Sequence, residues 1–303
     1  SFPQLIARGC GLDVHKNLIV ASVSGEGLEE QTREFSAFTE DLEELRDWLN
    51  SLSVTHVAME STSVYWKPVF NVLEEDFEII LVNARHIKNV PGHKTDKKDS
   101  QWIAQLLLSG LLKGSFIPPR PIRELRDLFR YRKKLTAQMV GEKNRLQKIL
   151  EDANIKLSSV ASDVFGASGM AIIQAIIDGE TSAEALQQLA YGSLRKKEEL
   201  RQALKGHITA HHRFMLKTFL KSIAQVQAII DDIDLQIEEV LKDYQTEMEL
   251  LQTIPGVGRQ TAGIMIAEMG ADMQQFPSQH HLACWAGVCP GNNESAGKKK
   301  VHA

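Results

Sequence analysis

The chain has 303 residues, 43% hydrophobic and 24% charged with a formal net charge of −4, which excludes collagen-like, disordered and disulfide-scaffold classes and suits two domains. No apolar run approaches a membrane span and no N-terminal signal pattern is present, so a cytoplasmic protein without a membrane partner is expected. The three cysteines, Cys10, Cys284 and Cys289, form neither a disulfide framework nor a Cys-x-x-Cys metal pair.

Leu5 to Val14 is a mostly apolar run interrupted by Gly9 and Gly11, and Asn17 to Ser24 is rich in β-formers. Gly25-Glu26-Gly27 reads as a hairpin turn into a third strand over Glu30–Phe38. Thr39 suits the N-cap of a helix whose Leu42, Leu45, Trp48, Leu49 and Leu52 share one stripe. Val54–Met59 is a short buried strand ending at Glu60, and Val64–Leu73 is a helix. Phe77–Asn83 is another strand, and Thr95 opens a helix through Leu112. The order β-β-β-α-β-α-β-α predicts an α/β domain over residues 1–117, a mixed sheet covered by helices.

Pro118-Pro119-Arg120-Pro121 reads as a linker. Beyond it residues 118–246 are expected to be all-α, with a basic helix over Arg123–Leu150, a Gly/Ser-richer insert at about 155–206, and a long helix. In the last, Leu216, Phe219, Ile223, Val226, Ile230, Ile233, Ile237, Val240 and Tyr244 alternate spacings of three and four, a coiled-coil seam. It could pair with the basic helix within the chain or with a second copy. From Lys113 to Lys148 eleven Lys/Arg oppose three carboxylates, a local charge of +8. In an acidic chain that concentration suits a polyanion, through neutralised phosphates and released counterions, with Arg126, Arg130, Arg132, Lys133 and Lys134 as contacts. A solvated helix face is the alternative.

Residues 247–303 read as a compact module of short helices. Leu250–Gly263 is a helix, a Pro-Gly-Val-Gly hairpin and a second helix, resembling a helix-hairpin-helix cradle for a nucleic-acid backbone. Gly256, Gly258 and Arg259 would form its contacts, and a plain interhelical turn is the alternative. Phe276, Leu282, Trp285 and Val288 supply a small core, and Pro290–Asn293 a loop that sets Glu294-Ser295 on an exposed turn beside Lys298, Lys299 and Lys300. Such lysines can hold a phosphate and favour charge at an attacking hydroxyl, although from the local sequence alone a plain loop serine is the better reading. His211-His212 and His280-His281 lack zinc spacing and read as surface residues.

Asp13 lies at the end of the first strand, Glu60 ends the fourth, and Asp96 and Asp99 share one face at the start of the next helix. Singly, each reads as a turn cap, a rim charge or a helix cap. Together, with the fourth strand parallel to the first, four carboxylates would converge and require hard divalent cations. Such ions, Mg²⁺ or Mn²⁺, stabilise the attacking and leaving oxygens of a phosphodiester displacement.

GLDVHK, AMESTSVYW and HKTDKKDSQWIAQLL, with AGVCPGNNESAG near the end, resemble the Asp-Glu-Asp-Asp transposases of one bacterial insertion-sequence family, the bridge-RNA-guided recombinases. The resemblance covers nearly the whole chain. It implies a first domain similar to ribonuclease H and Holliday-junction resolvases, with Asp13, Glu60, Asp96 and Asp99 as Mg²⁺ ligands. His93 and Lys94 would touch phosphate, while Thr62, Tyr65 and Trp66 would pack. It implies also that Ser295 attacks a DNA phosphodiester to form a phosphoserine link. A site split between two subunits would require a homo-oligomer, for which the heptad seam is a means. Partners would be donor and target DNA and a structured guide RNA. Family members continue with a further helical segment after the serine, so the last module is expected to be truncated. The alternatives are a Holliday-junction-type, metal-dependent endonuclease that uses water as nucleophile, and an inactive nucleic-acid-binding remnant.

Overall fold

The computed structural model describes residues 5–61, 64–83, 99–112, 114–195, 198–288, 294–295 and 298–299. The chain divides into two compact units, Ser1–Ile117 and Pro118–Ala303.

The first unit is a five-stranded sheet of β1 (Arg8–Val14), β2 (Leu18–Gly25), β3 (Leu28–Ser36), β4 (His56–Glu60) and β5 (Glu78–Val82), in the order β3-β2-β1-β4-β5. β1, β2 and β3 form an antiparallel meander, and β4 and β5 add to it in parallel. Strand side chains alternate between faces, which sorts the residues into two layers. Cys10, Leu12, Ile19, Ala21, Val23, Val57 and Met59 bury against Leu42, Leu45 and Leu49 of α1 (Thr39–Ser51) and Val69 and Leu73 of α2 (Trp66–Leu73). The opposite face is covered by α3 (Asp99–Leu108), whose Ile103 and Leu107 pack with Ala58.

Two helix ends differ from expectation. Thr39 is the first helical residue of α1 rather than its cap, and Phe38 holds the cap position without a side-chain bond. The entry is fixed instead by Asp41, which accepts from the Ser36 amide and hydroxyl. α3 ends four residues before Leu112, because Gly110 adopts a left-handed φ of 66°. The expected start at Thr95 lies outside the described residues.

The second unit is organised by α4 (Arg120–Asp152) and α10 (Ala210–Leu241). α4 starts inside the proline-rich stretch, since Pro121 has no amide to lose in a first turn. The two long helices pair within the chain and run antiparallel: Asp152 meets His212 at one end, and Arg132 meets Asp234 nearer the other. Leu125, Phe129 and Leu135 pack against Val226, Ile230, Ile233 and Ile237. Between them α5 (Leu157–Val160), α6 (Ala167–Asp178), α7 (Ala183–Gln188), α8 (Gly192–Arg195) and α9 (Glu198–Ala203) wrap a core of Leu157, Ile172, Ile173, Ile176, Leu186 and Leu200 onto Leu146, Leu150 and Leu216.

His212 is buried, contrary to the surface reading. Its Nδ1 accepts from the Thr209 amide while its own amide donates to Thr209 Oγ1, a capping box at the start of α10, and its Nε2–H donates to Asp152. His211, His280 and His281 are exposed.

The last segment holds α11 (Gln245–Gln252), α12 (Arg259–Met269), α13 (Gln279–Trp285) and a hairpin of β6 (Glu294–Ser295) and β7 (Lys298–Lys299). Among the described residues the four side chains expected to form a small core there are not buried. Trp285 is 41% and Val288 73% exposed, and Phe276 meets Trp285 only ring to ring at 5.4 Å. α13 is two turns long and buries no side chain, too little surface for a core of its own. No described helix is long and apolar enough to cross a membrane.

Candidate functional site

The acidic residues of the first unit are placed by strand register. Leu12 pairs with Met59, so Asp13 and Glu60 are each the next residue on adjacent parallel strands. Counting by twos, Asp13 shares its face with Gly9 and Gly11, and Glu60 shares the same face with Ala58, the face that α3 covers. Gly9 lies beneath Leu107 and Gly11 beneath Ser100 and Ala104, so α3 runs antiparallel to β1 with its start toward Asp13. Only a residue without a Cβ permits this approach, because a Cβ at Gly11 would fall inside the Ser100 carbonyl oxygen and the Ala104 nitrogen. Asp99, the first residue of α3, therefore enters from the same end, where the helix dipole favours negative charge.

A buried hydroxyl chain holds that helix start in place. Ser22 Oγ lies 2.8 Å from both Ser100 Oγ and Thr32 Oγ1. Asp13 is 28% exposed and accepts from His15 Nε2 at 3.1 Å. Neither contact was expected from the sequence. Glycines at alternate positions of an apolar strand are the one signal of the close helix, and His15 carries a signal only through its spacing of two from Asp13.

The donor set is all carboxylate, which fits a hard divalent cation better than a soft one. Among the described residues no three His, Cys, Asp or Glu side chains come close enough to hold an ion together. Asp96, Lys94, His93 and Thr62 lie outside the described residues.

The basic face of α4 is partly occupied. Arg132 pairs with Asp234 through a bond of 2.9 Å, and Arg130 takes both oxygens of Glu268 at 3.0 and 2.8 Å. Arg126 donates to the Ala267 and Glu268 carbonyls at 3.0 and 2.8 Å. Partial burial pulls its guanidinium below the usual arginine range, against the opposing pull of Glu268. Lys133 and Lys134 are exposed and, among the described residues, form no ion pair.

The Leu250–Gly263 stretch forms α11, a tight turn with Gly256 at φ 86°, and α12 capped by Gly258. Open space surrounds both glycines, so a ligand backbone could approach them. Arg259, in contrast, is bonded to Glu238 at 3.0 Å, which holds that carboxyl below its ordinary range. Glu294-Ser295 forms a strand rather than a turn, with Ser295 paired to Lys298 and Glu294 to Lys299. Lys300 lies outside the described residues.

Two family models match the chain. One for transposases, of the DEDD type of IS110, covers residues 10–155, and one described as Transposase IS116/IS110/IS902 family covers 248–303. The chain belongs to the IS110 family of DEDD transposases. No curated protein matches it. The first match takes in nearly all of the sheet of the transposase, α3 and the whole of α4, and the second takes in the turn at Gly256 and the hairpin bearing Ser295. Membership implies DNA as substrate and dependence on divalent metal.

Proposed function

We propose that this transposase cleaves and rejoins DNA strands through a covalent serine intermediate, with the carboxylates of a ribonuclease-H-like first domain holding Mg²⁺. The placement of Asp13 and Glu60 at the ends of adjacent parallel strands, on the face entered by the start of α3, carries this reading. Asp13, Glu60, Asp96 and Asp99 would hold the ion, which when bound supplies Lewis-acid stabilisation of negative charge on phosphate. Ser295 Oγ attacks the phosphorus, losing its proton as the Oγ–P bond forms. The P–O bond to one sugar breaks, and that oxygen leaves as a hydroxyl. A hydroxyl of the exchanging strand then displaces the serine, restoring a phosphodiester without net hydrolysis.

The remaining roles follow the charges. Lys94, Arg126, Arg130, Arg132, Lys133, Lys134, Arg259 and Lys298, Lys299 and Lys300 would meet phosphates of donor and target DNA or of a structured guide RNA. Gly256 and Gly258 would let a backbone approach the turn between α11 and α12, for which the open space around both is the support. Working domains of 1–117, 118–246 and 247–303 follow, acting as a homo-oligomer in the cytoplasm; the heptad seam of α10 is taken up within the chain by α4 and is not the means of assembly.

The test is strand exchange between labelled donor and target DNA with the element's own RNA, with Mg²⁺ or with chelator. Joined products that require Mg²⁺, Asp13 and Ser295 are expected. Free ends whose yield is unchanged by Ser295→Ala would replace the serine with water as nucleophile.

A further inference from the structure

Arg126, Arg130, Lys133 and Lys134 follow one another at helical spacing along α4, a cationic stripe in which Asp127 is the one acidic neighbour acting on Arg126 and Arg130 from the same helix. Its two halves are in different states. Glu268, near the end of α12, takes Arg130 in a forked pair at 3.0 and 2.8 Å and lies 3.3 Å from Arg126. One turn further, Lys133 and Lys134 are exposed and form no ion pair among the described residues. The forked pair is not sealed: the Arg130 side chain is 59% and the Glu268 side chain 34% exposed. A carboxylate gripped by a guanidinium fork has the geometry of a phosphate gripped by the same fork.

We propose that Glu268 is an internal occupant of a DNA-backbone track on α4, holding the place of a phosphate on Arg130 and Arg126 until DNA displaces it. This inference rests on the reading that the protein acts on DNA. The main-chain bonds from Arg126 to Ala267 and Glu268 keep α12 docked while the carboxylate swings away. Displacement exchanges one anion for another on Arg130, so the stripe binds more weakly than its charge implies.

The experiment measures affinity of the full chain for short duplex DNA across a salt series, for wild type, Glu268→Gln and Arg130→Gln. Glu268→Gln is expected to tighten binding about three- to tenfold and to steepen the log–log salt dependence by about one, the value of one phosphate contact. Arg130→Gln is expected to weaken binding by a similar factor and to flatten the slope. Both variants break the same ion pair, so a merely structural pair would move both affinities in the same direction or leave both unchanged. Either result overturns the proposal. So does a gain confined to structured RNA and absent with DNA. If wild type binds no duplex even at low salt, the reading as a DNA-acting protein falls, and this inference falls with it. Circular-dichroism melting of each variant shows whether the fold is retained.

Discussion

The two units place their candidate residues by opposite means. In the first, backbone does it: strand register aligns Asp13 with Glu60, and glycines let the start of α3 come down beside them. In the second, side chains do it: Arg126, Arg130, Arg132 and Arg259 are held by Glu268, Asp234 and Glu238 on other helices. A site built from backbone tolerates loss of a side-chain charge without losing its shape, whereas a face built from ion pairs rearranges when one partner goes. Substitutions in the two units should therefore separate chemistry from architecture differently.

The largest expected effect is on rate in the first unit. Asp13→Asn should lower strand exchange by about a thousandfold, roughly 4 kcal/mol of barrier, while leaving the unfolding midpoint in urea without Mg²⁺ within error of wild type. A loss of folded protein instead would mean that Asp13 is architectural, and the contrast between the units would collapse. Gly11→Ala reverses the roles. Its methyl has to displace the α3 backbone, at a cost of about 3 kcal/mol of stability measured by denaturant unfolding.

Metal sharpens the same contrast. At roughly a hundredfold excess over its dissociation constant, Mg²⁺ should add about 2.7 kcal/mol to unfolding of the first unit. Chelation should remove the gain, and Asp13→Asn should abolish it. A gain retained in Asp13→Asn would place the ion elsewhere. The smallest effect belongs to the second unit. A double-mutant cycle on Arg132 and Asp234 should give a coupling of about 0.5–1 kcal/mol, because both side chains keep contact with water. A coupling near zero would mean that packing of Leu135 and Ile233, not the ion pair, sets the register of the two helices.

The same division decides how much could be read without a structure. The succession of elements in the first unit and the strand ends that bear Asp13 and Glu60 were legible because period-two alternation and turn residues are local signals, whereas the parallel pairing of β4 with β1 entered only as a condition. The pairing of α4 with α10 was legible as one of two choices, since the heptad seam shows that a partner exists but not which. What escaped was non-local. The basic run counts as eleven positive charges, yet the carboxylate answering Arg132 lies 102 residues away and that answering Arg130 lies 138 away. His212 escaped for a related reason: a polar residue is read as exposed unless its partners are visible, and Asp152 is 60 residues distant. The expected core around Trp285 differs in the other direction: among the described residues its side chains are not buried, and the seven-residue α13 offers little surface against which to bury them.

The proposed mechanism stands on covalent attachment of DNA to Ser295. The most direct measurement is mass spectrometry of peptides recovered from a reaction with labelled DNA, Mg²⁺ and the element's RNA, quenched in denaturant and digested with protease and nuclease. A nucleotide attached to the peptide containing Ser295, absent from Asp13→Asn and from Ser295→Ala, is the expected result. Strand exchange proceeding with that peptide unmodified, or with the nucleotide on another residue, would contradict it.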